Sequence, residues 1–164
     1  MATTEATMEA LVDFLRSEGT ECGTGVDVTR LSDYEAVNKV TLPDDVRAYF
    51  LEVNGTNGDY ACGIIRFWSL DEFATLEQVI GASGSRAAVI QSAYDGSTGK
   101  RGDYFVFADH MHEAQLYAIR LRPESEPNQV VVLDGGEPVV VAGSFTDFIR
   151  RYLKSPESLR LVVD

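Results

Sequence analysis

Basic residues are in short supply in this 164-residue chain: 14 Lys and Arg stand against 26 Asp and Glu, a net charge of −12. That deficit argues against docking on DNA, RNA or an anionic membrane, whose phosphates attract lysine and arginine and repel carboxylates. A basic protein partner suits it better. Cysteine is scarcer still. Cys22 and Cys62 are far apart, lack CxxC spacing and are too few for a zinc site or a disulfide framework, so both are expected as free thiols. No apolar run approaches the roughly 20 residues a membrane span needs. The start Met1-Ala2-Thr3-Thr4-Glu5 has neither the basic end nor the apolar stretch of a secretory signal, and a soluble, cytoplasmic protein is expected. Internal repeats, low-complexity tracts and long linkers are also missing. With an ordinary apolar content and the length of one ordinary domain, residues 1–164 are expected to form a single domain.

What is present is a change of pattern along the chain. Thr7 to Glu18 sets Met8, Leu11, Val12 and Leu15 on one helical stripe, with Gly19 as a stop. A polar loop carrying Gly23 and Gly25 follows. Ser32 and Glu35 have capping-box spacing, which predicts a short helix over Asp33–Asn38. In the next helix Pro43 suits the first turn, and Asp44 and Asp45 meet the positive end of the dipole. Val46, Tyr49, Phe50 and Val53 form its apolar face, and Asn54-Gly55 ends it. Ile64–Trp68 reads as a strand, Ser69 to Ile80 as a helix, and Ala87–Gln91, Tyr104–Ala108, Leu116–Leu121, Val130–Leu133 and Val139–Val141 as strands. The last pair is joined by turn residues 134–137. Ser144 caps a closing helix to Lys154, and the tail from Pro156 is an extra strand or a loose end. Helices first, strands as hairpins and a final helix predict an α+β fold with a mainly antiparallel sheet.

Few side chains suggest chemistry. Gly96-Ser97-Thr98-Gly99-Lys100 fails as a phosphate loop, because the earlier glycine position is Tyr94 and Arg101 follows the lysine. Arg101-Gly102-Asp103 reads as a turn. Asp109-His110-Met111-His112-Glu113 is read as a solvated hairpin tip; on an extended strand His110 and His112 would face one side and could share a divalent metal. A metal-assisted enzyme using Asp109, His110, His112 and Glu113 is therefore the weaker alternative, since no nucleophile elbow, catalytic cysteine signature or HExxH motif accompanies it. Trp68 is assigned to packing. Residues 1–60 hold 12 Asp and Glu against four Lys and Arg, so the acidic excess is concentrated in the N-terminal helices. An acidic face of this kind steers a cationic protein towards it. Asp44, Asp45, Glu52 and Asp59, with Tyr60 beside them, are the candidate partner-binding residues.

The order of these pieces resembles one family. Leu42-Pro43, then Asp44-Asp45-Val46-Arg47-Ala48-Tyr49-Phe50, ending in Asn54-Gly55, is similar to the "LP, acidic pair, aromatic, NG" helix of the Smi/Knr-type SUKH superfamily. Ile65 to Phe73 resembles that family's next strand and helix, Tyr104–Asp109 with Leu116–Ile119 its central hairpin, and Ser144–Ile149 its closing "S-F-x-x-F" helix. The resemblance covers about residues 30–153. Gly99-Lys100-Arg101-Gly102-Asp103 departs from the glycine-rich approach to the hairpin that many members have.

The resemblance implies an α+β, cofactor-free, non-enzymatic domain that binds other proteins. Bacterial members are mostly immunity proteins that neutralise a polymorphic or contact-delivered toxin, often a nuclease, and fungal relatives regulate cell-wall assembly. The expectation is thus an immunity protein that occludes a basic toxin domain. The alternative is an interaction scaffold or regulator of the cell-wall-assembly type.

Overall fold

The computed structural model describes residues 3–61, 64–82, 101–111, 114–134 and 138–159. Helix α1 spans Thr4–Ser17 and begins earlier than expected, because the Thr3 hydroxyl accepts from the Ala6 N–H at 3.1 Å and caps the first turn. Its stripe of Thr7, Met8, Leu11 and Leu15 is buried. Helix α2 spans Val28–Asn38 and not the shorter Asp33–Asn38: Asp27 is the cap, accepting from the Arg30 N–H at 2.8 Å. The Ser32–Glu35 spacing is therefore no capping box. Glu35 turns instead to the next helix, accepting from the Leu42 N–H at 2.9 Å and pairing with Arg47. Helix α3 spans Asp44–Glu52, with Pro43 at the cap position just outside it, and buries Val46, Tyr49 and Phe50. Asn54 at φ 47° and Gly55 at φ 86° supply the left-handed stop.

The β region follows as β1 (Ile65–Phe67), β2 (Ala74–Thr75), α4 (Leu76–Ala82), β3 (Tyr104–His110), β4 (Gln115–Arg120), β5 (Val130–Leu133), β6 (Val139–Ala142) and α5 (Phe145–Lys154). The helix expected from Ser69 starts later. Ser69–Phe73 closes into a turn, with the Phe73 N–H on the Ser69 carbonyl at 2.9 Å and the Leu70 N–H taken by Asn54 Oδ1 at 2.8 Å. After β2, Thr75 and Gln78 cap α4 reciprocally at 3.2 and 3.0 Å. Arg101–Asp103 is a turn of 3-10 helix. So is Pro156–Leu159, which makes the described part of the tail neither strand nor loose end: Leu159 is buried and its carbonyl accepts from the Tyr117 hydroxyl at 3.3 Å. The expected strand Ala87–Gln91 and the Gly96–Lys100 loop lie outside the described residues.

Among the described residues the strand pairings are all antiparallel, in the order β1-β3-β4-β5-β6, and β2 shares the outer edge of β3 with β1. The fold is α+β, as expected. Alternation gives the sheet two apolar faces. Ile65, Phe67, Phe105, Phe107, Tyr117, Ile119, Val130 and Val132 join the core of α1, α3 and α5, whereas Tyr104, Val106, Leu116, Ala118, Val131 and Leu133 pack with Trp68, Leu76 and Val79. The closing helix supplies Phe145 and Phe148, whose rings stand nearly edge-on to Phe107 at 5.1 Å. Such pairs add about 0.5–1.5 kcal/mol beyond area burial.

One irregularity decides the neighbourhood of β1. Pairing of β3 with β4 runs Val106↔Ala118 and then Ala108↔Tyr117, so Phe107 is an extra residue. Both Phe107 and Ala108 consequently lie on the helix-side core. A bulge shifts parity by one. Asp109, which strict alternation would have set with Phe105 and Phe107, instead lies opposite Arg66 on one side and Leu116 on the other, on the face that carries Trp68.

Candidate functional site

The acidic candidates occupy two different settings, helix α3 and the turn that follows it. Asp44 is exposed at the N-terminus of α3, and Glu52 is exposed on its last turn. Eight residues of helix separate them by about 12 Å along the axis. Asp45 is turned inward. One of its oxygens accepts from the Val46 N–H at 2.9 Å, and the other from the Thr146 N–H at 2.9 Å and the Thr146 hydroxyl at 2.8 Å, bracing α3 against α5. Glu52 borders an open groove of about 680 Å³ whose other walls include Val12, Arg16, Glu21 and Cys22. Burial raises the Cys22 pKa, with Arg16 opposing, so this sulfur stays a thiol at neutral pH and is a poor nucleophile. Cys62 lies outside the described residues.

Asp59 and Tyr60 form a second setting. Asn57 at φ 53° and Gly58 at φ 80°, with the Asp59 N–H on the Thr56 carbonyl at 2.9 Å, make a type I′ turn. Asparagine followed by glycine is the preferred pair for that geometry. Asp59 leaves this turn exposed, and its carboxylate accepts from the Tyr60 N–H at 3.0 Å. Tyr60 was expected to be an exposed contact residue. It is only partly exposed, because its hydroxyl donates to Asp109 at 2.5 Å.

Asp109 is the hub of this region, although the sequence pattern places it in a solvated hairpin tip. It is inside β3, its side chain is fully buried, and Met111 is where the chain turns. Its carboxylate accepts from Tyr60, from Arg66 Nε at 2.9 Å and from the Trp68 indole N–H at 2.7 Å. Arg66 also donates to Glu72 at 2.6 Å and lies over the Trp68 ring at 5.3 Å. A buried carboxylate is tolerated when it is paired and hydrogen-bonded in this way. Burial would lower the Arg66 pKa, yet Asp109 and Glu72 raise it overall, so the guanidinium is held charged. The Tyr60 phenol is raised by burial and by Asp109. The available signal was a charge of each sign in or directly beside an apolar strand, Arg66 within Ile64–Trp68 and Asp109 immediately after Tyr104–Ala108. What hid their partnership was the bulge.

Of the four residues of the metal alternative, Asp109 and His110 are described. Asp109 faces Arg66 and Trp68, while His110 is the next residue of the strand and buried, lying opposite Ile65. His112 and Glu113 lie outside the described residues. Among the described residues no group of three or more His, Cys, Asp and Glu side chains is placed to hold a metal ion, and no helix is long and apolar enough to cross a membrane.

The model of the SMI1 / KNR4 family (SUKH-1) matches residues 25–151. That span runs from the loop before α2 into α5 and includes the Asp109 hub, leaving α1 outside it. No curated protein matches the chain.

Proposed function

The chain belongs to the SMI1 / KNR4 family (SUKH-1), and from that membership we propose that this protein-interaction domain is an immunity protein, neutralising a cognate polymorphic or contact-delivered toxin by covering its working surface. The observation that supports the reading is the placement of charge. Of the net −12, residues 1–60 account for −8, and Asp44, Glu52 and Asp59 from that stretch are exposed. A nuclease must offer cations to its nucleic acid, and an acidic protein face takes the place of the phosphates. In this reading Asp44, Glu52, Asp59 and Tyr60 touch the partner, and Asp45 holds the end of α3 in place for them. The chain itself performs no reaction and needs no cofactor.

The test begins with purification from the native host and identification of whatever stays bound. The chain is then titrated into the activity assay of that partner, where full inhibition near one equivalent is expected. Asp44→Lys with Glu52→Lys should weaken binding strongly at about 50 mM salt and much less at about 500 mM, since exposed charges are screened within a Debye length. A partner without toxic activity, held together with others in an assembly, would replace this reading with the cell-wall-regulator type of scaffold. Affinity indifferent to both reversal and salt would refute the electrostatic face.

A further inference from the structure

We infer that the outer edge of β6 is a second contact site for the partner protein, which adds an extended segment there as an antiparallel strand with its basic N-terminal end at Asp44. This rests on the reading above and goes from a charged face to a mode of docking. Strand β6 ends the order β1-β3-β4-β5-β6, and among the described residues no strand pairs with its far side. Such an edge presents a row of backbone N–H and C=O groups that another chain can take up. A lysine or another charge within the strand would guard it. Pro138-Val139-Val140-Val141-Ala142-Gly143 holds none, although 24% of the chain is charged. Val139 lies opposite Val132, which belongs to the helix-side core, and Val140 opposite Val131 of the other face. They remain 41% and 52% exposed, one at the open end of each apolar face. A strand laid beside β6 would cover both.

Length and charge select the occupant. Four residues make about 13 Å of strand, and Pro138 before them and the extra residue Val141 in the pairing with β5 confine the open stretch. Two copies joined edge to edge over that length would fall well short of the roughly 1,000 Å² that a stable interface buries, and each would bring a net charge of −12. A basic partner meets attraction instead, and its contact does not end with the strand. Only Gly143 and Ser144 separate β6 from α5, and Thr146 in the first turn of α5 donates to Asp45 from its N–H at 2.9 Å and its hydroxyl at 2.8 Å. Asp44, exposed beside Asp45, therefore stands near the C-terminal end of β6. An antiparallel strand brings its N-terminal end to that point, so a lysine or arginine there would meet the Asp44 carboxylate. The edge and the acidic end of α3 then form one continuous surface.

The experiment uses the full chain and, as probe, the capped peptide Arg-Lys-Thr-Val-Ile-Val-Thr, followed by amide chemical shifts and amide exchange. Saturable binding is expected, with a shift at Asp44 and the amides of 139–142 slowed about tenfold. Val140→Lys changes an exposed side chain, so the unfolding midpoint should stay near wild type while the peptide weakens about tenfold. Proline in place of the peptide's isoleucine and the valine after it removes a backbone donor whichever edge of the peptide is used, and should weaken it as much. Undiminished affinity of that peptide would overturn strand addition. The peptide in reverse order should bind about threefold more weakly at about 50 mM salt, a preference that Asp44→Asn removes. Equal binding of the two orders would overturn the placing of the basic end. Unprotected amides at 139–142, or a free chain that sediments as a dimer which Val140→Lys dissolves, would overturn the inference. The reading it rests on is tested apart from it in the inhibition assay. A Val140→Lys chain that still inhibits the native partner fully near one equivalent would overturn the role of the edge and leave the immunity reading standing. A native partner without toxic activity that protects 139–142 would remove that reading and leave the edge site.

Discussion

Replacing Gly25 with alanine should be among the most damaging small changes available to this protein. The loop before α2 lies directly on the C-terminal end of α3. A Cβ built on Gly25 falls 2.0 Å from the Leu51 carbonyl oxygen and 3.0 Å from its carbon, both backbone atoms that no rotamer change can move. An ordinary contact needs about 3.4 Å, so the loop must retreat by roughly 1.4 Å. That retreat stretches the Val26 N–H to Phe50 carbonyl bond (3.1 Å), the Gly23 N–H to Gly55 carbonyl bond (2.9 Å) and the Asn54 amide to Thr24 carbonyl bond (2.7 Å) towards or past 4 Å, where little remains of them. At about 1 kcal/mol each the loss is about 3 kcal/mol, with somewhat more from uncovering Val26. For a domain of this size that lowers Tm by roughly 6–12 °C. The assay is guanidinium unfolding followed by the fluorescence of Trp68, with two glycines as references. Gly58→Ala meets no atom within 4 Å but sits at φ +80°, so it should cost about 1–2 kcal/mol. Gly81→Ala meets nothing and carries no such strain, and should be neutral or stabilising by up to about 1 kcal/mol. Gly25→Ala within about 1 kcal/mol of wild type, or ranking above Gly58→Ala, would refute the steric reasoning.

Asp109→Ala leaves Arg66 and the Trp68 indole without their buried acceptor, and a loss of about 3–5 kcal/mol is expected in the same unfolding assay. A loss below about 1 kcal/mol would show that the hub is not buried in solution. Asp45→Ala should cost about 2 kcal/mol because it removes the brace between α3 and Thr146, whereas Asp44→Ala, on an exposed carboxylate, should stay within about 0.5 kcal/mol. Equal effects would remove the distinction between them. Tyr49 is fully buried and donates to the Trp68 carbonyl at 2.7 Å, and burial chiefly holds its pKa well above 10. The fold therefore favours the neutral phenol: its stabilising contribution is complete below pH 10 and is lost above it, at about 1.4 kcal/mol per pH unit. Tyr49→Phe should be less stable at pH 8 but show a shallower decline between pH 10 and 11.5, and parallel declines would contradict this.

Much of the architecture was determined by the sequence alone, wherever a local rule had no competitor. Pattern and stop agree in α3, where an apolar three-and-four spacing ends in Asn54-Gly55, and in α5, where Ser144 caps through the Asp147 N–H at 3.0 Å. Tyr104–Ala108, Leu116–Arg120 and Val130–Leu133 were legible as strand because a run of β-branched and aromatic residues has few other uses. Local signals failed where a distant group took the atom they needed. Glu35 had the spacing to cap Ser32 but found Arg47 and the Leu42 N–H, and Ser69 looked like a helix start until Asn54 claimed the Leu70 N–H.

The acidic excess at the N-terminal end, and the residues that carry it, needed only counting. Which of those carboxylates face water and which are already spent was a tertiary matter. Asp44 and Asp45 are neighbours with equal claims in the sequence, yet Thr146, 101 positions away, takes the second and leaves the first exposed. Asp109 shows the same limit more sharply. One extra residue in β3 moved it to the other face of the sheet, where Arg66, Trp68 and Tyr60 were waiting, because in a strand the side a residue faces depends on every residue's parity up to it and a bulge resets that count.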